Sequence, residues 1–85
     1  MSPRALRLIG RYECELCEHL AEMLAPYEAA GVVVVEQVDV DEDPALQAVH
    51  AYRVPVLLEG GRELLWGRIE ASEVVQVLGD LPVRA

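Results

Sequence analysis

Two cysteines three positions apart, in Cys14-Glu15-Leu16-Cys17, are the first feature of this 85-residue chain with an obvious chemistry. On an α-helix that spacing leaves the side chains about 60° apart around the axis, near enough for a disulfide across one turn. Such a pair can cycle between dithiol and disulfide, supply part of a metal site, or be two small apolar side chains without reactivity. A structural zinc site within the chain would need four ligands. His19 falls about 200° around the helix from Cys17, and His50 stands alone on another segment. No metal ligand set is therefore assigned, although a metal or iron–sulfur site bridged by Cys14 of two chains stays open. At the start of a helix, unpaired backbone N–H groups and the helix dipole favour a thiolate, the attacking species in disulfide exchange. Cys14, at the helix tip, is the expected nucleophile. Cys17, nearer the apolar side of the helix, is the expected resolving thiol. Arg11 should favour the Cys14 thiolate, whereas Glu13, Glu15 and Glu18 oppose it.

The second feature is Val54-Pro55 at the head of an apolar run. Proline inside a strand removes a ladder hydrogen bond and is confined to first residues and edges. From the local sequence alone a trans bond is the default. The upstream dithiol and the order of elements argue instead for cis.

The elements that must position these residues are legible from periodicity. Ala5–Gly10 predicts a first strand. From about Cys14 a helix follows, with Leu16, Leu20, Leu24 and Tyr27 at helical spacing and Met23 beside them. Pro26 should bend or end it, and Gly31 should close the segment. Val32 to Val35, continued by Val38 and Val40, predicts a buried strand. Asp39 and Asp41 are expected to cap or solvate its end. Asp43-Pro44 is a helix start, with Asp43 as N-cap, and Leu46 and Val49 are the expected apolar side of that short helix. Val54–Leu58 predicts a third strand. Gly60-Gly61 predicts a hairpin turn, and Arg62–Trp66 a fourth strand. A last helix is expected over Ala71–Leu78, with Val74, Val75 and Leu78 inward. His19 and His50 are expected to face solvent, and Leu81–Ala85 to form a tail. The result is an α/β fold, β-α-β-α-β-β-α, with a four-stranded mixed sheet and three helices, in one domain over residues 1–85.

Composition narrows the function. The net charge is −8, and all seven basic residues are arginine. An acidic surface repels phosphate backbones and anionic headgroups, so neither nucleic acid nor membrane is an expected partner. Residues Met1–Arg7 lack the apolar run of a secretory signal, so a cytoplasmic protein is expected. A reducing compartment seldom keeps a structural disulfide, which favours a catalytic, redox-sensing or metal-binding pair. A monomer is the expected state.

A CxxC at the first helix, this order of elements and an X-Pro before the third strand together resemble the glutaredoxin branch of the thioredoxin superfamily, over residues 5 to 81. More narrowly, Val38-Asp39-Val40-Asp41-Glu42-Asp43-Pro44, Tyr52-Arg53-Val54-Pro55-Val56-Leu57 and Gly67-Arg68 resemble the short bacterial glutaredoxin-like proteins. The resemblance implies a thiol–disulfide oxidoreductase that reduces protein or glutathione mixed disulfides. No cofactor would be bound; glutathione would be a co-substrate, and a cellular thiol would be the reductant. Cys14 and Cys17 would be catalytic. Pro55 would be cis beside the dithiol, with Val54 offering backbone bonds to the ligand. Arg11 would face a glutathione carboxylate, Gly67 would approach the γ-glutamyl end, and Glu70 matches a following acidic residue. Arg53 and Arg68 would gather anionic groups. The chain departs from the family pattern in Glu15-Leu16 between the cysteines, in Arg53 where threonine is common, and in Trp66, which replaces the first of two glycines in the glutathione groove. Against the enzyme reading stand a non-catalytic interaction module built on the Val54-Pro55 groove and the dimeric metal site. With three carboxylates nearby, Cys14 should be less acidified than in strongly oxidising members of this fold.

Overall fold

The computed structural model describes residues 2–81; the tail expected over Leu81–Ala85 falls largely outside them. The chain runs β1 (Arg4–Gly10), α1 (Glu15–Ala29), β2 (Val33–Asp39), a 3-10 turn (Val40–Glu42), α2 (Pro44–His50), β3 (Val56–Glu59), β4 (Arg62–Trp66) and α3 (Ala71–Leu78). The strands lie in the order β2-β1-β3-β4. β1 pairs in parallel with β2 and antiparallel with β3. β3 turns back on β4 through Gly60-Gly61, both at positive φ, the conformation that two-residue hairpins require. This is the mixed sheet and β-α-β-α-β-β-α order expected from the periodicity.

β1 sits in the middle of the sheet, so both of its faces carry apolar residues. Leu6 and Leu8 pack with Leu57, Val33, Ile69 and Val74 and with Leu20, Leu24 and Tyr27 of α1. Ile9, on the opposite face, packs with Val40, Val56 and Leu58. The two layers differ in extent. α1 and α3 cover the first face. α2 has only seven residues and reaches only the Ile9 end of the second through Leu46. The rest of that face is polar or open. Arg7 lies opposite Glu36 in the β1–β2 register and pairs with it at 3.0 Å, and Val34 is 57% exposed. The valine run is therefore not buried throughout, because a parallel strand is buried on both faces only where helices cover both.

α1 does not stop at Pro26. It runs on to Ala29 with the proline inside and exposed. Its end is a Schellman motif: Gly31, at φ 76°, donates to Glu28 O, and Val32 donates to Tyr27 O. The buried stripe is Cys17, Leu20, Leu24 and Tyr27; Leu16 is only half-buried. The Tyr27 hydroxyl donates to Gly79 O at 2.8 Å, tying α1 to the end of α3.

Three further side chains lie on other faces than expected. In α2, Leu46 points inward and the residue one turn on is His50, so His50 is buried and Val49 is 60% exposed. No partner meets His50 Nδ1 among the described residues. In α3, Val74 is buried, Val77 and Leu78 are half-buried, and Val75 faces out. Asp43 caps α2 as expected, accepting from Ala45 N and Leu46 N, and Asp39 caps the 3-10 turn through Asp41 N. Among the described residues no helix is long and apolar enough to cross a membrane.

Candidate active site

Cys14 is the N-cap of α1. Its backbone is extended, and its Sγ accepts the Cys17 N–H at 3.1 Å, in the place where a serine or aspartate oxygen usually caps. Its carbonyl receives the Glu18 N–H at 3.0 Å. One amide of the first turn thus donates to the sulfur, at the helix end whose dipole stabilises negative charge. The two cysteines form a disulfide, with 5.2 Å between their Cα atoms. Cys17 is buried and Cys14 partly exposed, because Cys17 belongs to the inward stripe of α1.

The chain reaches Cys14 through a sharp turn. Glu13 adopts φ 56°, the left-handed region in which a residue with a Cβ is strained by about 1–2 kcal/mol. Just before that turn, Gly10 closes β1. A Cβ on Gly10 would stand 3.3 Å from both Cβ and Sγ of Cys17 and 3.4 Å from Leu8 Cδ2. Gly10 is thus the residue that lets the strand end lie against the buried sulfur. The sequence marks it only as a glycine at a strand terminus.

Gly10 also links the dithiol to the proline. Ile9 pairs with Val56, so the antiparallel register carries Gly10 towards Pro55 and Arg11 towards Val54. The Val54–Pro55 bond is cis and Pro55 is buried. Neither N–H nor C=O of Val54 makes a backbone hydrogen bond among the described residues. Pro55 O, in contrast, receives the Gly67 N–H at 2.8 Å, which prolongs the β3–β4 pairing.

The arginines are committed elsewhere. Arg11 forms a two-pronged bond with Asp41, Nε to Oδ2 at 2.9 Å and NH2 to Oδ1 at 3.1 Å, and donates to Ala51 O. The fork holds the Asp41 carboxyl below the usual carboxylate range. Arg11 thus staples the loop after β1 to the turns around α2, and its charge is matched before any ligand arrives. Arg11, expected to favour the Cys14 thiolate, is thus also the partner of Asp41. Arg53 pairs with Glu63 and lies over the Trp66 ring, 4.5 Å from its centroid. Arg68 is exposed. Glu70 is the N-cap of α3, its N–H donating to Glu73 Oε1. Cys14, Cys17, Arg11, Arg53, Val54, Pro55 and Gly67 are therefore joined, directly or through Gly10 and Trp66, at one end of the sheet. Glu70 takes its place in a helix cap.

Beside the dithiol, on the side of β2, opens a cleft of about 470 Å³. Leu8, Cys17, Ala21 and Val38 line its walls, and Tyr12, Glu13, Glu18 and Asp39 also contribute to it. Among the described residues no three His, Cys, Asp or Glu side chains gather as a metal site.

Comparison with known proteins agrees with this geometry. Residues 5–79 match the model of the glutaredoxin-like domain (DUF836). The chain is similar to the Northeast Structural Genomics target XcR50 from X. campestris, at 35% identity over 86% of this chain and 93% of that one, with a TM-score of 0.71. It is also similar to protein Ne2328 from Nitrosomonas europaea, at 26% identity over 92% and 94%, with a TM-score of 0.77. A mutant thioredoxin from Halobacterium salinarum shares the fold, at 20% identity over 99% of this chain and 79% of that one, with a TM-score of 0.64. No curated protein matches. The chain, with its CxxC pair at disulfide distance on a thioredoxin fold, belongs to the glutaredoxin-like domain family.

Proposed function

We propose that this protein is a thiol–disulfide oxidoreductase that reduces protein or glutathione mixed disulfides through Cys14 and Cys17. One observation carries the reading: Cys14 Sγ, at the N-cap of α1, accepts the Cys17 N–H at 3.1 Å, while Cys17 itself is buried. A sulfur in that position is stabilised as thiolate when the pair is reduced.

In the reaction, the Cys14 thiolate attacks one sulfur of the substrate disulfide. The substrate S–S bond breaks, one substrate thiolate leaves, and a mixed disulfide forms on Cys14. Cys17, deprotonated, then attacks Cys14 Sγ. The second substrate thiolate leaves, and the Cys14–Cys17 disulfide forms. Two electrons pass to the substrate, and a cellular thiol returns the pair to the dithiol. Val54, with an unused N–H and C=O beside the cis proline, offers an extended substrate two backbone hydrogen bonds. No cofactor is needed for these steps. A monomer in the reducing cytoplasm fits them, because the pair must be re-reduced between turnovers.

The test is reduction of a small mixed disulfide, coupled to a glutathione- or a thioredoxin-reductase regenerating system. The wild type should turn over with at least one of them. Cys14→Ser should be inactive, and Cys17→Ser should accumulate the mixed disulfide on Cys14, visible by mass. Wild-type inactivity in both systems refutes the reading.

A further inference from the structure

Resting on the oxidoreductase reading, we infer that the substrate is a disulfide in a polypeptide with arginine or lysine beside its cysteine, docked on Tyr12, Tyr52 and Trp66, and not a glutathione mixed disulfide.

The first ground is the state of the cations. Glutathione carries two carboxylates and needs unpaired positive charge to hold them. Arg11 is forked onto Asp41, and Arg53 is paired with Glu63 and stacked on Trp66. Releasing either would cost an existing charge-assisted pair for each new one made. Of the three arginines around the site only Arg68 lacks an ion pair among the described residues, and Glu13, Glu15 and Glu18 beside Cys14 have none either.

The second ground is the aromatic surface. Tyr12 is 83% exposed, Tyr52 fully exposed and Trp66 54% exposed, in a molecule with few aromatics and a buried Tyr27. All three flank the reactive end of the sheet. Tyr12 lines the cleft with Cys17. Tyr52 lies two residues before Val54 and directly after Ala51, whose carbonyl accepts from Arg11. Trp66 pairs across from Val56. Exposed Tyr and Trp supply rigid contact area at low entropic cost, which makes them the common anchors of protein interfaces. An extended chain paired on Val54 would pass between strand neighbours of Tyr52 and Trp66.

The third ground is charge complementarity. The cleft beside Cys17 has Glu13, Glu18 and Asp39 in its lining and Tyr12 as a π-face, against an Arg11 already neutralised by Asp41. A guanidinium or ammonium group next to the substrate cysteine finds carboxylates and a ring there. A carboxylate finds repulsion, in a molecule of net charge −8.

The test is a single turnover, so that no reductase partner enters. The protein is reduced with dithiothreitol, desalted, and mixed with one of three oxidised substrates: the disulfide dimer of an eight-residue peptide with arginine on both sides of cysteine, the same peptide with glutamate there, or glutathione disulfide. Loss of the protein dithiol is followed by alkylation and mass. The arginine peptide should react about tenfold faster than the glutamate peptide at low salt, and the ratio should fall towards one in about 1 M salt. It should also outrun glutathione disulfide. Glu13→Gln/Glu18→Gln should lower the peptide ratio at least about threefold, and Tyr52→Ala should slow the arginine peptide more than glutathione disulfide. Equal rates for the two peptides at low salt, or faster reaction of glutathione disulfide than of the arginine peptide, overturn the inference and leave the oxidoreductase reading intact. No reaction with any of the three, with wild type and Cys14→Ser alike, overturns both.

Discussion

Replacing Gly10 by alanine tests whether the strand end and the buried sulfur are fitted to each other. The new Cβ would meet Cys17 Cβ and Sγ at 3.3 Å and Leu8 Cδ2 at 3.4 Å. Two of these contacts are a few tenths of an ångström closer than carbon and sulfur accept, and Cys17 and Leu8 are both buried. Overpacking of this kind costs roughly 1–3 kcal/mol. The loss of chain freedom in the unfolded state offsets about 0.4–1 kcal/mol of that. A net loss of about 1–2 kcal/mol is expected in the oxidised protein, where Sγ is bonded to Cys14 and cannot rotate away. In the reduced protein Cys17 Sγ is free to change rotamer, and the loss should be smaller. The difference, about 1 kcal/mol, must reappear as a fivefold shift of the dithiol–disulfide equilibrium towards the dithiol, since the four states close a cycle. Urea unfolding of both redox forms gives the two stabilities, and equilibration with a dithiothreitol couple gives the shift independently. A variant as stable as wild type in both forms, with an unchanged equilibrium, would refute the idea that this glycine holds the pair in place.

Glu13→Gly should stabilise the protein by about 1 kcal/mol, by removing the Cβ from a left-handed residue; an equal gain from Glu13→Ala in urea unfolding would show that strain is not the cause. Leu20→Ala, at a fully buried position of α1, should cost about 2–5 kcal/mol in urea unfolding, whereas Val49→Ala, on the outer side of α2, should change the stability by less than about 0.5 kcal/mol. Acid should weaken the fold through two ion pairs. The hydrogen bond from Arg11 lowers the Asp41 pKa, and that from Arg4 lowers the Glu59 pKa, so both carboxyls bind protons less readily folded than unfolded. Their contribution is complete at neutral pH and disappears as pH falls below about 4; Asp41→Asn should therefore show a shallower loss of urea midpoint between pH 5 and 3 than wild type, and identical slopes would contradict the assignment.

Patterns local in sequence were enough for most of the architecture. Helical spacing from Leu20 to Tyr27, the valine run, Asp43-Pro44 and Gly60-Gly61 each encode one element through its own periodicity, cap or turn. Cys14 and Cys17 were legible for the same reason, since a spacing of three and a helix start are properties of a few consecutive residues. What escaped the sequence depends on what covers what. Val34, Val49 and Val75 read as core because periodicity marks apolar residues without showing where a neighbouring helix ends; α2 is too short to shield β2. His50 read as exposed because a histidine carries no sign of the face it will share with Leu46. The partners of Arg11 and Arg53 lie 30 and 10 residues away, so only folding could show that both are already neutralised. The dithiol itself was written in four residues. Its setting, with Gly10 against Cys17, an open Val54 backbone and arginines tied away from it, was decided by tertiary structure, because each of these depends on segments meeting that are distant along the chain.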